Sequence, residues 1–193
     1  TLYKMMNNSI NFTNHYSFYT GGGSTFNSEF AVNTGFIVPF SYNKNAYSFN
    51  NNYFPYSLPN MFKSLGYSVN AFHMNKGEYY SRSINYKNWN YDNYYGLIDM
   101  YKYEDDRYTL DRELILNEDY SNKMFNSESL FVDYIITYTN HMPFNPEKGN
   151  CKMLLDLDSK ENENISYDLT EEDCARRQAK ETDYMMELLL QNL

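Results

Sequence analysis

Two periods of apolar residues organise the chain. Tyr67-Ser68-Val69-Asn70-Ala71-Phe72 alternates with period two and ends at His73, as a strand with one covered face does. Just before it, Ser57 stands where a helix N-cap belongs, followed by Pro59 near the first turn, apolar Met61, Phe62 and Leu65, and Gly66 as a stop. Helix, glycine, strand is half of a βαβ unit, and the pattern then repeats. Residues 111–124 predict a helix capped by Thr109 or Asp111. Leu130-Phe131-Val132-Asp133-Tyr134-Ile135-Ile136-Thr137-Tyr138 follows, apolar and β-branched almost throughout, as in the buried centre of a parallel sheet. That strand runs into Thr139-Asn140-His141-Met142-Pro143-Phe144, so both predicted strands finish near a histidine at their carboxyl edge, where open α/β sheets bind ligands.

The rest of the chain carries weaker patterns. Residues 1–20, with Ile10, Phe12, Tyr16 and Phe18 in loose alternation, predict a half-buried strand. A helix following the glycine loop offers Phe26, Phe30 and Val32 to a core and places Ser28 and Glu29 in its first turn. Residues 38–56, rich in Asn, Tyr, Ser and Pro, read as loop, and the polar stretch 145–169 as a mobile excursion. Thr170 with Asp173 three residues on approximates a capping box and opens a final helix, residues 170–193. Its face is expected along Ala175, Ala179, Thr182, Met186 and Leu189.

Composition narrows the function. The 193 residues suffice for one domain or a large piece of one. A net charge of -9 leaves no basic stripe to displace counterions from a nucleic acid, so none is expected as a partner. No apolar run reaches the length of a membrane span and no charged-then-apolar leader opens the chain, which starts at Thr1 and so reads as a processed or truncated product. The 22 tyrosines and the asparagine runs are read as codon bias. Cys151 and Cys174 are too few for a disulfide scaffold; one bridge or two free thiols both fit.

The richest chemistry lies in Gly21-Gly22-Gly23-Ser24-Thr25. Three glycines let backbone N–H groups approach an anion, and a helix N-terminus adds unpaired donors and partial positive charge beside the Thr25 hydroxyl. The same run also reads as a flexible surface turn. His73, Arg82 and His141 supply oxyanion donors, and Tyr79 and Tyr80 rings to pack on an organic group. Asp156, Asp158, Glu161 and Glu163 lack calcium-loop spacing and read as a solvated charge run; no Asp-His pair, HxxxH or CxxC occurs.

Four segments occur in order: Gly21-Gly22-Gly23-Ser24-Thr25-x-x-Ser28-Glu29, Phe72-His73-x-x-Lys76-x-x-Tyr79-Tyr80-Ser81-Arg82, Tyr86-Lys87-x-x-Asn90-Tyr91-Asp92-x-Tyr94-Tyr95, and Thr139-Asn140-His141-x-Pro143-Phe144. Together they resemble the extracellular domain of lipoteichoic acid synthases and related phosphoglycerol transferases, in the sulfatase branch of the alkaline phosphatase superfamily. The resemblance implies an α/β sandwich with a mixed, mostly parallel sheet flanked by helices, here as a single partial catalytic domain over residues 1–193. It implies that Thr25 is the nucleophile, becomes phosphorylated and also contacts a divalent metal such as manganese. His73, Tyr80, Arg82 and His141 would surround the head group. Tyr80 stands where the family usually has tryptophan, and Ser24 where lysine is common. The other metal ligands, an acidic residue and an Asp-His pair, belong to strands before residue 1 and after residue 193. The chain is therefore expected to be catalytically silent by itself, to bind no metal tightly and to associate with itself. The intact protein would act on anionic phospholipid or a polyol phosphate at the outer face of a bacterial membrane, tethered by N-terminal helices. Phosphate against sulfate ester stays open, and the competing reading is a non-catalytic fragment or degenerate homologue that only binds anionic polymer.

Overall fold

The computed structural model describes residues 1–15, 25–39, 44–96, 110–125, 128–161 and 164–193. The glycine run 21–24, Tyr16, Phe18 and Thr109 lie outside them. The fold is α/β, and the chain divides into two compact units, each assembled from separated stretches.

The first unit, residues 11–103 with 126–136, holds a parallel sheet of β1 (Ser68–His73), β2 (Asn93–Tyr95) and β3 (Phe131–Ile136) in the order β2-β1-β3. The expectation that the apolar 130–138 segment is the buried centre is corrected: β1 occupies that place, and β3 is an outer strand of the described sheet, half-buried up to Ile136. Propensity marks a strand but not its neighbours. Asn70 disguised β1 as a partly exposed strand, yet its side chain is satisfied inside the sheet, accepting from Asn93 Nδ2 at 2.9 Å.

One face of the sheet carries Val69, Ala71, Val132, Tyr134 and Tyr94, placed on one side by the pairing register. They pack on Phe26 and Phe30 of α2 (Thr25–Thr34), on Tyr86 of α4 (Arg82–Asn88) and on Trp89 just after it. Val32, expected in this core, faces solvent. Between them, α3 (Leu58–Ser64) starts where expected: Ser57 Oγ accepts from Asn60 N, also donating to Trp89 O, and Gly66 ends the helix at φ +86°. The strand expected over residues 1–20 is not found among the described residues there. Residues Leu2–Asn7 form helix α1, and Ile10 and Phe12 are exposed. Alternation alone does not make a strand; it needs a neighbouring edge to bond.

The second unit, residues 1–10, 104–125 and 137–193, is helical. The single helix expected over 111–124 is two, α5 (Glu113–Leu116) and α6 (Glu118–Met124), because Asn117 turns to an extended conformation and caps α6 by accepting from Asp119 N. The stretch read as an excursion contains α7 (Gly149–Glu161). Its anchor is a disulfide from Cys151 to Cys174 in α8 (Glu171–Gln191), both half-cystines fully buried. The Thr170–Asp173 capping box forms as expected. The packing face of α8 is corrected by one residue: Cys174, Gln178, Glu181 and Met185 are buried, in place of the Ala175 row. A polarity pattern misses that face because two of its members are polar and bonded inside. Opening the bridge, which closes a 23-residue separation, is expected to cost about 3 kcal/mol in this unit, checked by urea unfolding of Cys151→Ala/Cys174→Ala against the parent.

Candidate functional site

Thr25 is the first residue of α2 and is exposed there. Glu29 lies one full turn on, beyond the first turn where it was expected and on the same helix face as Thr25. It is 2% exposed and accepts from Arg82: Nη2 to Oε1 at 2.6 Å, and Nε to Oε2 at 3.0 Å. Tyr86 Oη donates to the same Oε2 at 3.0 Å.

Arg82 is as buried as its partner. Burial works against its charge, but the hydrogen bonds and charge of Glu29 outweigh it and hold the guanidinium above its ordinary pKa. Nη1 is also buried and has no hydrogen-bond partner among the described residues. The Tyr80 ring lies beneath, with its centroid 4.9 Å from Arg82 Cζ. Tyr80 and Ser81 reach this place in left-handed conformations, φ 59° and 49°, unusual for side chains of their size. The turn is pinned from outside: Asn85 Nδ2 donates to Tyr80 O at 2.9 Å and to Ala46 O at 3.0 Å, and Tyr80 N donates to Tyr47 Oη at 3.3 Å. Sequence reading named Arg82 and Tyr80 but missed this clasp of Glu29 and Tyr86; the signal available was Glu29 four residues after Thr25.

His73 ends β1 at 2% exposure, and its Nδ1 lies 2.8 Å from Ile136 O on β3. A carbonyl only accepts, so Nδ1 is the donor in this bond. The first unit thus contains Thr25, His73, Tyr80 and Arg82. A separate groove of about 660 Å³ beside β2, lined in part by Lys87, Asp92, Tyr94 and Tyr95, includes none of them.

His141 belongs to the second unit, where it is exposed with Nδ1 2.6 Å from Met142 O. Its loop is held from several sides. Asp111 was expected to cap a helix; instead its carboxylate accepts from Tyr138 N and Thr139 N, while Asp111 N donates to Thr139 Oγ1. Gln178 Nε2 donates to Thr139 O and His141 O, and Asn150 Nδ2 to Thr139 O. Burial pushes Asp111 up to about 6 against the pull of these bonds. An acid raised on folding binds more protons folded than unfolded between its two pKa values, so its contribution to stability is full below about pH 4 and falls as pH rises through about 6. The stability advantage of the parent over Asp111→Asn should therefore shrink by about 2–3 kcal/mol from pH 3 to pH 7, read from paired urea titrations.

The comparisons with known proteins meet this geometry. The family model described as Sulfatase matches residues 1–193. The chain belongs to the sulfatase family. Among solved structures it is similar to the lipoteichoic acid synthase LtaP from Listeria monocytogenes, at 22% identity and a TM-score of 0.63, over 90% of this chain and 41% of that one. At that identity the likeness establishes a shared sulfatase-type fold. Comparison with curated protein sequences finds no match. Among the described residues, no three His, Cys, Asp or Glu side chains come together as a metal would need, so Thr25 is the one expected metal contact whose place is described.

Proposed function

We propose that this sulfatase-family chain contributes the nucleophile and anion-binding residues of a phosphoglycerol transferase, with Thr25 attacking a phosphodiester. The observation that carries the reading is the buried Nη1 of Arg82, without a hydrogen-bond partner among the described residues, on a guanidinium held by Glu29, four residues after Thr25 on α2. In the step proposed, a bond forms from Thr25 Oγ to phosphorus as the bond to the lipid oxygen breaks, the hydroxyl proton leaving with that oxygen as the lipid alcohol and a phosphoglycerol ester remaining on Thr25. An acceptor hydroxyl then displaces Thr25. Arg82 donates to the non-bridging oxygens, where negative charge grows, and Tyr80 covers the glycerol carbons. The bond from Nδ1 of His73 to Ile136 O fixes the orientation of the ring, which serves as a further donor toward the head group.

A divalent metal would lower the pKa of the Thr25 hydroxyl and neutralise phosphoryl charge. The side chains described supply only the hydroxyl toward it, so no step is routed through the ion, and its remaining ligands are assigned by the resemblance to segments outside residues 1–193. The Cys151–Cys174 bridge supports an oxidising compartment, in keeping with the outer face of a membrane. No described helix is long and apolar enough to cross that membrane.

Intact-mass measurement of the whole protein turned over with phosphatidylglycerol tests the reading. A single phosphoglycerol adduct that maps to Thr25 is expected. Turnover of an aryl sulfate with no adduct from the lipid would transfer the site to sulfate esters. Binding of polyglycerol phosphate with neither reaction would leave an anion-binding protein.

A further inference from the structure

We infer that Glu29 is a positioning residue for anion recognition: its carboxylate, braced by Tyr86, locks the guanidinium of Arg82 in the one orientation that presents Nη1 to the substrate. The inference rests on the reading of Arg82 as the head-group ligand and goes beyond it.

A guanidinium has five N–H donors on a planar fork. Glu29 takes the edge formed by Nε and Nη2, with N···O distances of 3.0 and 2.6 Å, which fixes both the plane and the rotation of the group. The remaining nitrogen, Nη1, is directed away from the carboxylate, lies out of contact with solvent and has no protein acceptor among the described residues. A buried donor without a partner is costly, and an ionised one more so. Burying the pair gives little net stability, because desolvation offsets most of the attraction. What the pair does supply is direction.

The brace is built in layers. Tyr86 Oη donates to Oε2 of Glu29, and the Tyr86 ring is itself fully buried against Trp89, Tyr91 and Tyr94 with centroid separations of 4.7 to 5.0 Å. From the other side, the Tyr80 ring limits movement of the guanidinium out of plane. The left-handed turn at Tyr80 and Ser81 sets the point from which Arg82 enters α4. Glu29 and Thr25 share a helix face, so one rigid element carries both the attacking hydroxyl and the residue that aims the anion donor.

The test uses the whole protein, with glycerol phosphate as the binding probe and phosphatidylglycerol as donor. Glu29→Gln keeps the shape of the side chain but removes its charge and sets an amide donor against the guanidinium. It should weaken glycerol phosphate binding about tenfold and lower kcat/KM for the donor by at least as much, since Arg82 acts on charge that grows in the transition state. Tyr86→Phe removes only the hydroxyl and should weaken binding about two- to threefold in the same sense. That milder variant decides the matter if Glu29→Gln does not fold. In an Arg82→Lys background, Glu29→Gln should have no further effect on binding, because its action passes through the fork. If Arg82→Lys weakens binding but neither Glu29→Gln nor Tyr86→Phe does, positioning by Glu29 is overturned and the reading of Arg82 stands. If Arg82→Lys itself leaves glycerol phosphate binding unchanged, the reading of Arg82 fails first and takes the inference with it.

Discussion

Thr25→Ala is expected to lower turnover of an anionic phospholipid by at least about 10³-fold while leaving the protein folded. Thr25 is exposed at the start of α2, so losing its hydroxyl and methyl removes no core contact. Oγ is the atom to which the phosphoryl group is transferred in the proposed reaction, so its removal takes away the attacking group. Thr25→Ser should keep most of the rate. Lipid turnover by Thr25→Ala within tenfold of the parent, with an unchanged unfolding midpoint, would place the chemistry elsewhere.

Arg82→Met should destabilise the sheet-containing unit by about 3–5 kcal/mol, the range found when one partner of a buried ion pair is removed. Glu29 would keep its carboxylate at 2% exposure with only the Tyr86 hydroxyl donating to it from a side chain among the described residues. Most of that loss comes from the orphaned charge, so Arg82→Met/Glu29→Met should recover much of it, an apolar pair of similar volume replacing the ionic one. Urea unfolding of the three proteins reads both effects. Equal midpoints for parent and Arg82→Met would mean that Glu29 reaches solvent or another partner.

Much of the fold was legible because several signals were local. Ser57, Pro59 and Gly66 delimit α3 by backbone chemistry alone, and Thr170 with Asp173 marks the start of α8 in the same way. The central place of β1 was not legible, since it depends on Asn93, a residue 23 positions from its partner Asn70. The buried face of α8 was misplaced for a related reason. Gln178 and Glu181 look like solvent residues until the carbonyls of Thr139 and His141, and Arg112 bonded to Glu181, are seen beside them. In the candidate site the residue types were legible one by one, whereas the pairing of Glu29 with Arg82 spans 53 positions and no local rule announces it.

The interleaving of the two units also dictates the order in which they can be completed during synthesis. The sheet-containing unit has the last of its described strands once Ile136 has left the ribosome. The helical unit uses the first ten residues but cannot close on them until α8 arrives, because Leu2 N finds its acceptor in Asp183. Residues 1–10 must therefore wait for a partner 181 positions further along the chain. At ordinary elongation rates that wait is on the order of ten seconds or more, the interval in which a chaperone or a wrong partner would meet α1.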